Sequence, residues 1–203
     1  GKATLFVEAE RLENSVLPSI GKSVATKPPS ALATELKALG KQKQRVALDP
    51  SNCPDAIRVM LQKAGAIIVE STDPCTLPRA RKNKTEQSGA RASQLRDGAA
   101  MCNFLYWLQT QKPDGSLTEK SAQDQLLRCR QATGQLVDLS FGSISASGPN
   151  AAQPHYHVQK GQGRKLRSGE IYLIDSGGQY KDGTTDITRT IIIGDPTAAM
   201  RKH

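Results

Sequence analysis

The feature that most restricts the fold is a long stretch without proline, Thr85 to Gln111. Apolar groups recur in it close to helical spacing, at Ala92, Leu95, Ala99, Cys102, Leu105, Trp107 and Leu108. The spacing predicts one long helix, stopped by Lys112-Pro113-Asp114-Gly115, because proline and glycine both end regular helix. Immediately before it, STDPCTLPRARKNK (Ser71 to Lys84) combines two prolines with a basic cluster, which reads as a linker. The domain boundary is therefore placed near residue 74, with a first domain over residues 1–73 and a second over 74–203.

Before the linker, short strand-like and helix-like segments alternate. Ala3 to Val7 is apolar, PPSALATELKALG has helical spacing through Leu32, Leu36 and Leu39, and Val46 to Leu48 is strand-like. A helix is expected from Pro54 to Ala64, and Ala66 to Val69 is again β-rich. This β-α-β-α-β order predicts an α/β region with a parallel or mixed sheet flanked by helices. After the long helix, Ser121 to Gln131 predicts a second one, with Leu126 and Leu127 inward. From Ser140 the apolar period drops to about two, and FGSISASG, Ile171 to Asp175 and Ile187 to Ile193 predict three strands. The second domain is thus expected to be α+β, two helices packed on an antiparallel sheet.

Composition argues against several function classes. The longest apolar runs, such as Ala64 to Val69, fall far short of the roughly 20 residues a spanning helix needs, so no membrane segment is expected. The opening GKATLFVEAERLENS lacks an apolar core followed by a small-residue cleavage site, and reads like a chain entering mid-domain. Cys53, Cys75, Cys102 and Cys129 are scattered, with no C-x-x-C pair or companion histidines, which predicts free thiols in a reducing cytoplasm. The formal charge is +9, much of it in Arg79, Arg81, Lys82 and Lys84 and in Lys160, Arg164, Lys165 and Arg167. Neither stretch is interleaved with stacking aromatics, and no helix-turn-helix or zinc-finger spacing accompanies them, so solvated basic loops are expected and no nucleic-acid partner.

The chemistry-bearing pattern lies between the last two expected strands. SGGQYKDGTT is a glycine-rich connection that lets the chain reverse, and a hairpin there brings Asp175, at the end of one strand, near Asp186, at the start of the next. Two carboxylates in one small space repel unless they share a proton or a bridging cation. Hard divalent ions prefer such oxygen ligands, and a carboxylate pair can template a two-metal centre. Spacing alone leaves turn chemistry as a competing account, since strand ends favour Asp for local hydrogen bonding. Thr188, two residues beyond Asp186, is placed to hydrogen-bond a ligand carboxylate.

The wider context is more specific. IYLIDSGGQYKDGTTDITRT resembles the first metal-ligand hairpin of aminopeptidase P, a pita-bread-fold metallopeptidase related to prolidase and creatinase. ARKNKTEQSGARASQLRDGAAMCNFLYWL resembles the helix that opens the catalytic domain of these enzymes, and SFGSISASGPNAAQPHYHV the strand and loop that carry their substrate-site histidine. Residues 1 to 72 are similar to the end of the preceding creatinase-like domain. The resemblance implies two divalent metal ions, manganese in aminopeptidase P, with Asp175 and Asp186 among their ligands. It implies His155 beside the substrate, whereas His157 does not match. It also implies peptide substrates with proline second, cleavage of the bond before that proline, and a cytoplasmic homodimer when full length.

Departures from the family pattern matter as much. Ser93 stands where many relatives have a histidine, and is read as structural. The family's site also uses a further histidine and two glutamates from the later half of its domain, and no Glu or His here falls in an equivalent motif. The chain is therefore expected to be the end of a creatinase-like domain followed by the first half of a pita-bread domain. On its own, negligible peptidase activity, weak metal affinity and self-association through an exposed strand face are expected. A prolidase-like dipeptidase and a non-catalytic pita-bread binding protein are the alternatives.

Overall fold

The computed structural model describes residues 3–12, 16–111, 116–158, 161 and 163–202. The chain separates into two compact units, Gly1–Arg81 and Lys82–His203.

The first unit is built from two parallel strand pairs. β1 (Ala3–Phe6), α1 (Val16–Ile20) and β2 (Val24–Lys27) come first, with Ala3 opposite Val24 and Phe6 opposite Lys27. Then α2 (Leu32–Lys41), β3 (Arg45–Leu48), α3 (Asp55–Ala64) and β4 (Ile67–Glu70) follow, with Arg45 opposite Ile67. The expected alternation is present, with one strand and one short helix, α1, more than the apolar pattern predicts. The extra strand, VATK, half-buries only Val24 and Lys27, so it carries no apolar run for a sequence reading to find. Leu36 and Leu61 form the buried apolar centre of this unit. Asp49 joins the loops that follow β3 and β4, accepting from the backbone N–H of Ser51 and Asp73 and from Asn52 Nδ2. Those bonds, Asp73 first, hold its carboxyl below the usual range. A short helix, α4 (Thr76–Ala80), lies inside the proline-rich stretch, and the division between units falls after it.

The second unit opens with α5 (Lys84–Thr110). Its start is set by a capping box: Asn83 Oδ1 accepts from the Glu86 N–H and Glu86 Oε2 accepts from the Asn83 N–H. The expected Lys112-Pro113-Asp114-Gly115 stop lies outside the described residues. α6 (Glu119–Gln131) is capped reciprocally by Thr118 and Ser121. A small antiparallel pair, β5 (Asp138–Leu139) with β8 (Gly178–Gln179), sits beside a three-stranded antiparallel sheet. That sheet comprises β6 (Ile144–Ser147), β7 (Ile171–Ser176) and β9 (Ile187–Ile192), with β7 in the middle. A last short helix, α7, spans Ala198–Lys202.

The core of this unit collects Met101, Phe104 and Leu108 from α5, Ala122 and Leu126 from α6, Leu166, and Tyr172 and Ile174 from β7. Each large apolar side chain sealed there contributes roughly 1.5–3 kcal/mol relative to exposure. The helix is where expected, and its C-terminal part buries as expected, with Leu108 in the core and Leu105 and Trp107 packed against it, but the rest of its buried face differs. Leu95 is 79% exposed and Ala99 and Cys102 also face solvent, whereas Ser93, Asp97, Ala100, Met101, Phe104 and Leu108 are buried. The stripe is selected by polar partners as well as by apolar area, because Ser93 and Asp97 meet the hairpin described next.

Candidate active site

β7 alternates cleanly. Tyr172, Ile174 and Ser176 are buried against the helices, and Leu173 and Asp175 take the opposite face. On that face Ile144 and Thr188 flank Asp175 from β6 and β9, and Ala146 and Thr190 flank Leu173. Ile144, Ala146, Leu173, Asp175 and Thr188, together with the loop around Pro154 and His155, line a cleft of about 330 Å³. Thr188 Oγ1 donates to Asp175 Oδ1 at 2.8 Å. Asp186 is exposed and immediately precedes β9, whose first residue, Ile187, pairs with Ser176. The alternation of β9, carried one residue back, assigns Asp186 to the face of Asp175 and Thr188. Among the described residues neither carboxylate has a cationic partner, and no three His, Cys, Asp or Glu side chains gather at one point. Asp175 lines this cleft and Asp186 is not among its lining residues; two carboxylates assigned to one face of the hairpin, neither of them ion-paired, fit part of a divalent-metal site.

The turn between Asp175 and Asp186 is anchored to the helices by one buried carboxylate. Asp97 Oδ1 accepts from Arg130 Nε at 2.7 Å and from the Tyr180 hydroxyl at 2.7 Å. Its Oδ2 accepts from Arg130 Nη2 at 3.0 Å and from Thr185 Oγ1 at 2.9 Å. Thr185, the residue before Asp186, also accepts from the Gly178 N–H. Burial pushes the Asp97 carboxyl up, but the bonds from Arg130 and Tyr180, the Arg130 charge and the Thr185 bond outweigh it and hold the group below its ordinary value. Burial, then the bond and charge of Asp97, push the Tyr180 hydroxyl up.

At the tip, Arg96 grips Asp182 through both carboxylate oxygens and lies 4.9 Å from the centre of the Tyr180 ring. Gly183 rests on Ser93, where an added Cβ would stand 2.4 Å from Ser93 Oγ. A side chain at position 183 would force Ser93 or the turn to shift, which agrees with the structural role expected of Ser93.

The histidine loop is tied down by a second buried carboxylate. Glu119, the first residue of α6, is fully buried. Its Oε1 accepts from the Ser147 N–H at 2.8 Å and from Asn150 Nδ2 at 2.9 Å. Its Oε2 accepts from the Tyr156 hydroxyl at 2.8 Å and from the Arg164 N–H at 2.8 Å. Burial first, then the bond and charge of Glu119, push the Tyr156 hydroxyl up to about 12. His155 is exposed with a left-handed φ of 57°, an uncommon conformation for a non-glycine residue. His157 instead packs toward Gly142, its Cε1 3.4 Å from where a Cβ would stand.

Sequence reasoning brought Asp175, Asp186, Thr188 and His155 forward and passed over Asp97, Glu119 and Arg130. The Thr118-x-x-Ser121 spacing is a cap signal that marks where α6 begins. Nothing local marks Glu119 as buried, because its partners lie 28 to 45 positions away.

Comparison with known proteins places these observations. The model of metallopeptidase family M24 matches residues 88–203, and that of the creatinase/prolidase N-terminal domain matches residues 1–86. A probable Xaa-Pro aminopeptidase P of Paracoccidioides brasiliensis is 36% identical over 98% of this chain and 34% of its own length. The X-prolyl aminopeptidase of Caenorhabditis elegans, a cytosolic enzyme with a di-nuclear active site, aligns with a TM-score of 0.84. That match has 31% identity over 97% of this chain and 33% of that one. An Xaa-Pro dipeptidase from Bacillus anthracis shares the fold, with a TM-score of 0.75 and 19% identity over 99% of this chain and 55% of that one. The chain spans about a third of the length of the curated relatives it matches.

Proposed function

The chain belongs to metallopeptidase family M24, and on that footing we propose that it forms part of an aminopeptidase that removes the residue preceding proline at a peptide N-terminus. Asp175 and Asp186 are ligands of two divalent ions, manganese in this reading, and His155 faces the substrate. The domain that carries them begins after the linker near residue 74. The observation that carries the proposal is Asp175 paired with Thr188 across β7 and β9, beside a cleft that His155 also lines.

When bound, the ions supply Lewis acidity and lower the pKa of water. The chain's own residues do the rest of what is proposed. Thr188 fixes the rotation of the Asp175 carboxylate and leaves its second oxygen for a ligand. Ile144, Ala146 and Leu173 form an apolar wall suited to a proline ring. His155 is placed at the rim to hydrogen-bond the scissile peptide. We further infer that the protein is cytoplasmic, a reading supported by its four free cysteines and by the cytosolic relative, and that it is a homodimer when full length.

The test is a manganese titration of the chain followed by the free-ion electron paramagnetic resonance signal. Weak binding is expected, reduced at least tenfold by Asp175→Ala and by Asp186→Ala. Binding that neither substitution alters overturns the metal assignment. In a longer protein carrying these residues, cleavage of Xaa-Pro-Xaa tripeptides in preference to Xaa-Pro dipeptides separates this reading from a dipeptidase.

A further inference from the structure

We propose that Glu119 is the positioning residue of the His155 loop, a single buried carboxylate that sets where the imidazole stands over the cleft. The proposal rests on the reading of His155 given above only for its consequence in function, since the geometry stands without it. Four donors from four points of one excursion converge on the two oxygens. Ser147 begins the excursion, Asn150 lies in its first turn, Tyr156 adjoins His155, and Arg164 closes it.

The regular structure of that excursion among the described residues is one short 3-10 turn, Gly148–Ala152. Its shape therefore depends on what its polar groups bind. A left-handed His155 persists only where neighbours over-determine it, and the adjoining Tyr156 bond supplies that constraint from one side. Gly163 completes the fit: with φ at 70°, it lies so close that a Cβ there would stand 2.6 Å from Glu119 Oε2.

The chemistry requires a carboxylate rather than a generic polar group. Oε1 and Oε2 each receive two donors and neither donates. A carboxamide keeps one acceptor oxygen and turns the other position into a donor facing a backbone N–H that cannot accept, so one bond is lost outright and its neighbour is kept only by reversing the Tyr156 hydroxyl or flipping the Asn150 amide. Arg164 contributes only its backbone N–H, because its guanidinium is engaged with Glu170. The loop thus closes on an anion held by neutral donors, with geometry and not ion pairing fixing its position.

The test uses this chain without metal or substrate, and reads amide exchange together with the His155 ring resonance. In Glu119→Gln, amides from 147 to 158 are expected to exchange at least tenfold faster and the His155 ring signal to move. Amides of the α5 and β7 core and the Trp107 indole signal are expected to stay in place. Glu119→Asp, which keeps the anion, is expected to restore part of the protection.

If Glu119→Gln does not fold, Tyr156→Phe decides, with about threefold faster exchange confined to the same loop. Core and loop loosening together, or a loop and ring signal unchanged in Tyr156→Phe, overturns the proposal. His155→Ala in a catalysing protein that carries this chain tests the other reading separately. Unchanged turnover there removes the functional role of His155 and leaves the clamp standing.

Discussion

Two buried carboxylates hold the two halves of the candidate site, and they do it by opposite means. Asp97 holds the hairpin of Asp175 and Asp186 as one side of a buried ion pair, with Arg130 on both of its oxygens. Glu119 holds the loop of His155 with four uncharged donors and no cation. An ion pair repays part of its desolvation through direct attraction, so it is intolerant of losing either member. An anion held by neutral donors spreads the same task over four contacts, each roughly 1.5–3 kcal/mol as a bond to a charged group. The hairpin is therefore expected to fail all at once, and the loop by degrees.

The largest effect is expected on the hairpin side. Arg130→Ala leaves Asp97 buried without its cation and should cost about 3–5 kcal/mol in thermal or denaturant unfolding. A loss below about 1 kcal/mol would show that the pair is not sealed from solvent and would break the contrast.

An intermediate effect comes from alkali on the loop side. The Tyr156 hydroxyl is raised in the folded state to about 12, so its contribution is fully present below the unfolded value of about 10. It is lost as pH rises through about 12, because the folded state then has to give up a proton it holds more tightly. Phenolate absorbance and exchange of the 147–158 amides should change together in that window. A Tyr156 that ionises near pH 10 would show that Glu119 does not hold it.

The smallest effect is expected at the hairpin tip, where Asp182 is partly open to solvent. The Arg96–Asp182 pair should be worth only about 0.2–1 kcal/mol, less in high salt, as the coupling in a double-mutant cycle of Arg96→Ala and Asp182→Ala. A larger coupling would mean that the tip, and not Asp97, is the main anchor.

The sequence shows the elements that rely on local pattern. β6 is legible from its apolar–polar alternation, β7 from the apolar run Ile171 to Ile174 and β9 from its β-branched residues, and α5 and α6 from their helical spacing. The pairing of Asp175 with Thr188 follows once the two strands form a hairpin. What stays hidden is what depends on distant partners. Asp97 sits in a helix with ordinary charged neighbours, and its partners Tyr180 and Thr185 lie 83 and 88 positions on. A charged residue on a helix reads as solvated unless its partner is known. The same blindness sends Leu95 and Cys102 to the wrong side of α5, because burial there is decided by what the hairpin presents. The basic stretches read correctly at Arg79, Arg81, Lys82 and Lys84, all exposed, while Arg164 proves half-buried and engaged with Glu170. Lys160 lies outside the described residues.

The position of β7 has one more consequence. Asp175 belongs to a strand held by ladders on both sides, to Ile144 in β6 and to Thr188 in β9, whereas Asp186 precedes its strand and lies outside either ladder. In the proposed centre the two ligands are therefore unequal. One is held by its own ladder, and the other by its neighbours, Thr185 bonded to Asp97 and Gly178, and Ile187 paired with Ser176. Any adjustment to the radius of an ion is then left to the Asp186 side-chain torsions, not to its backbone.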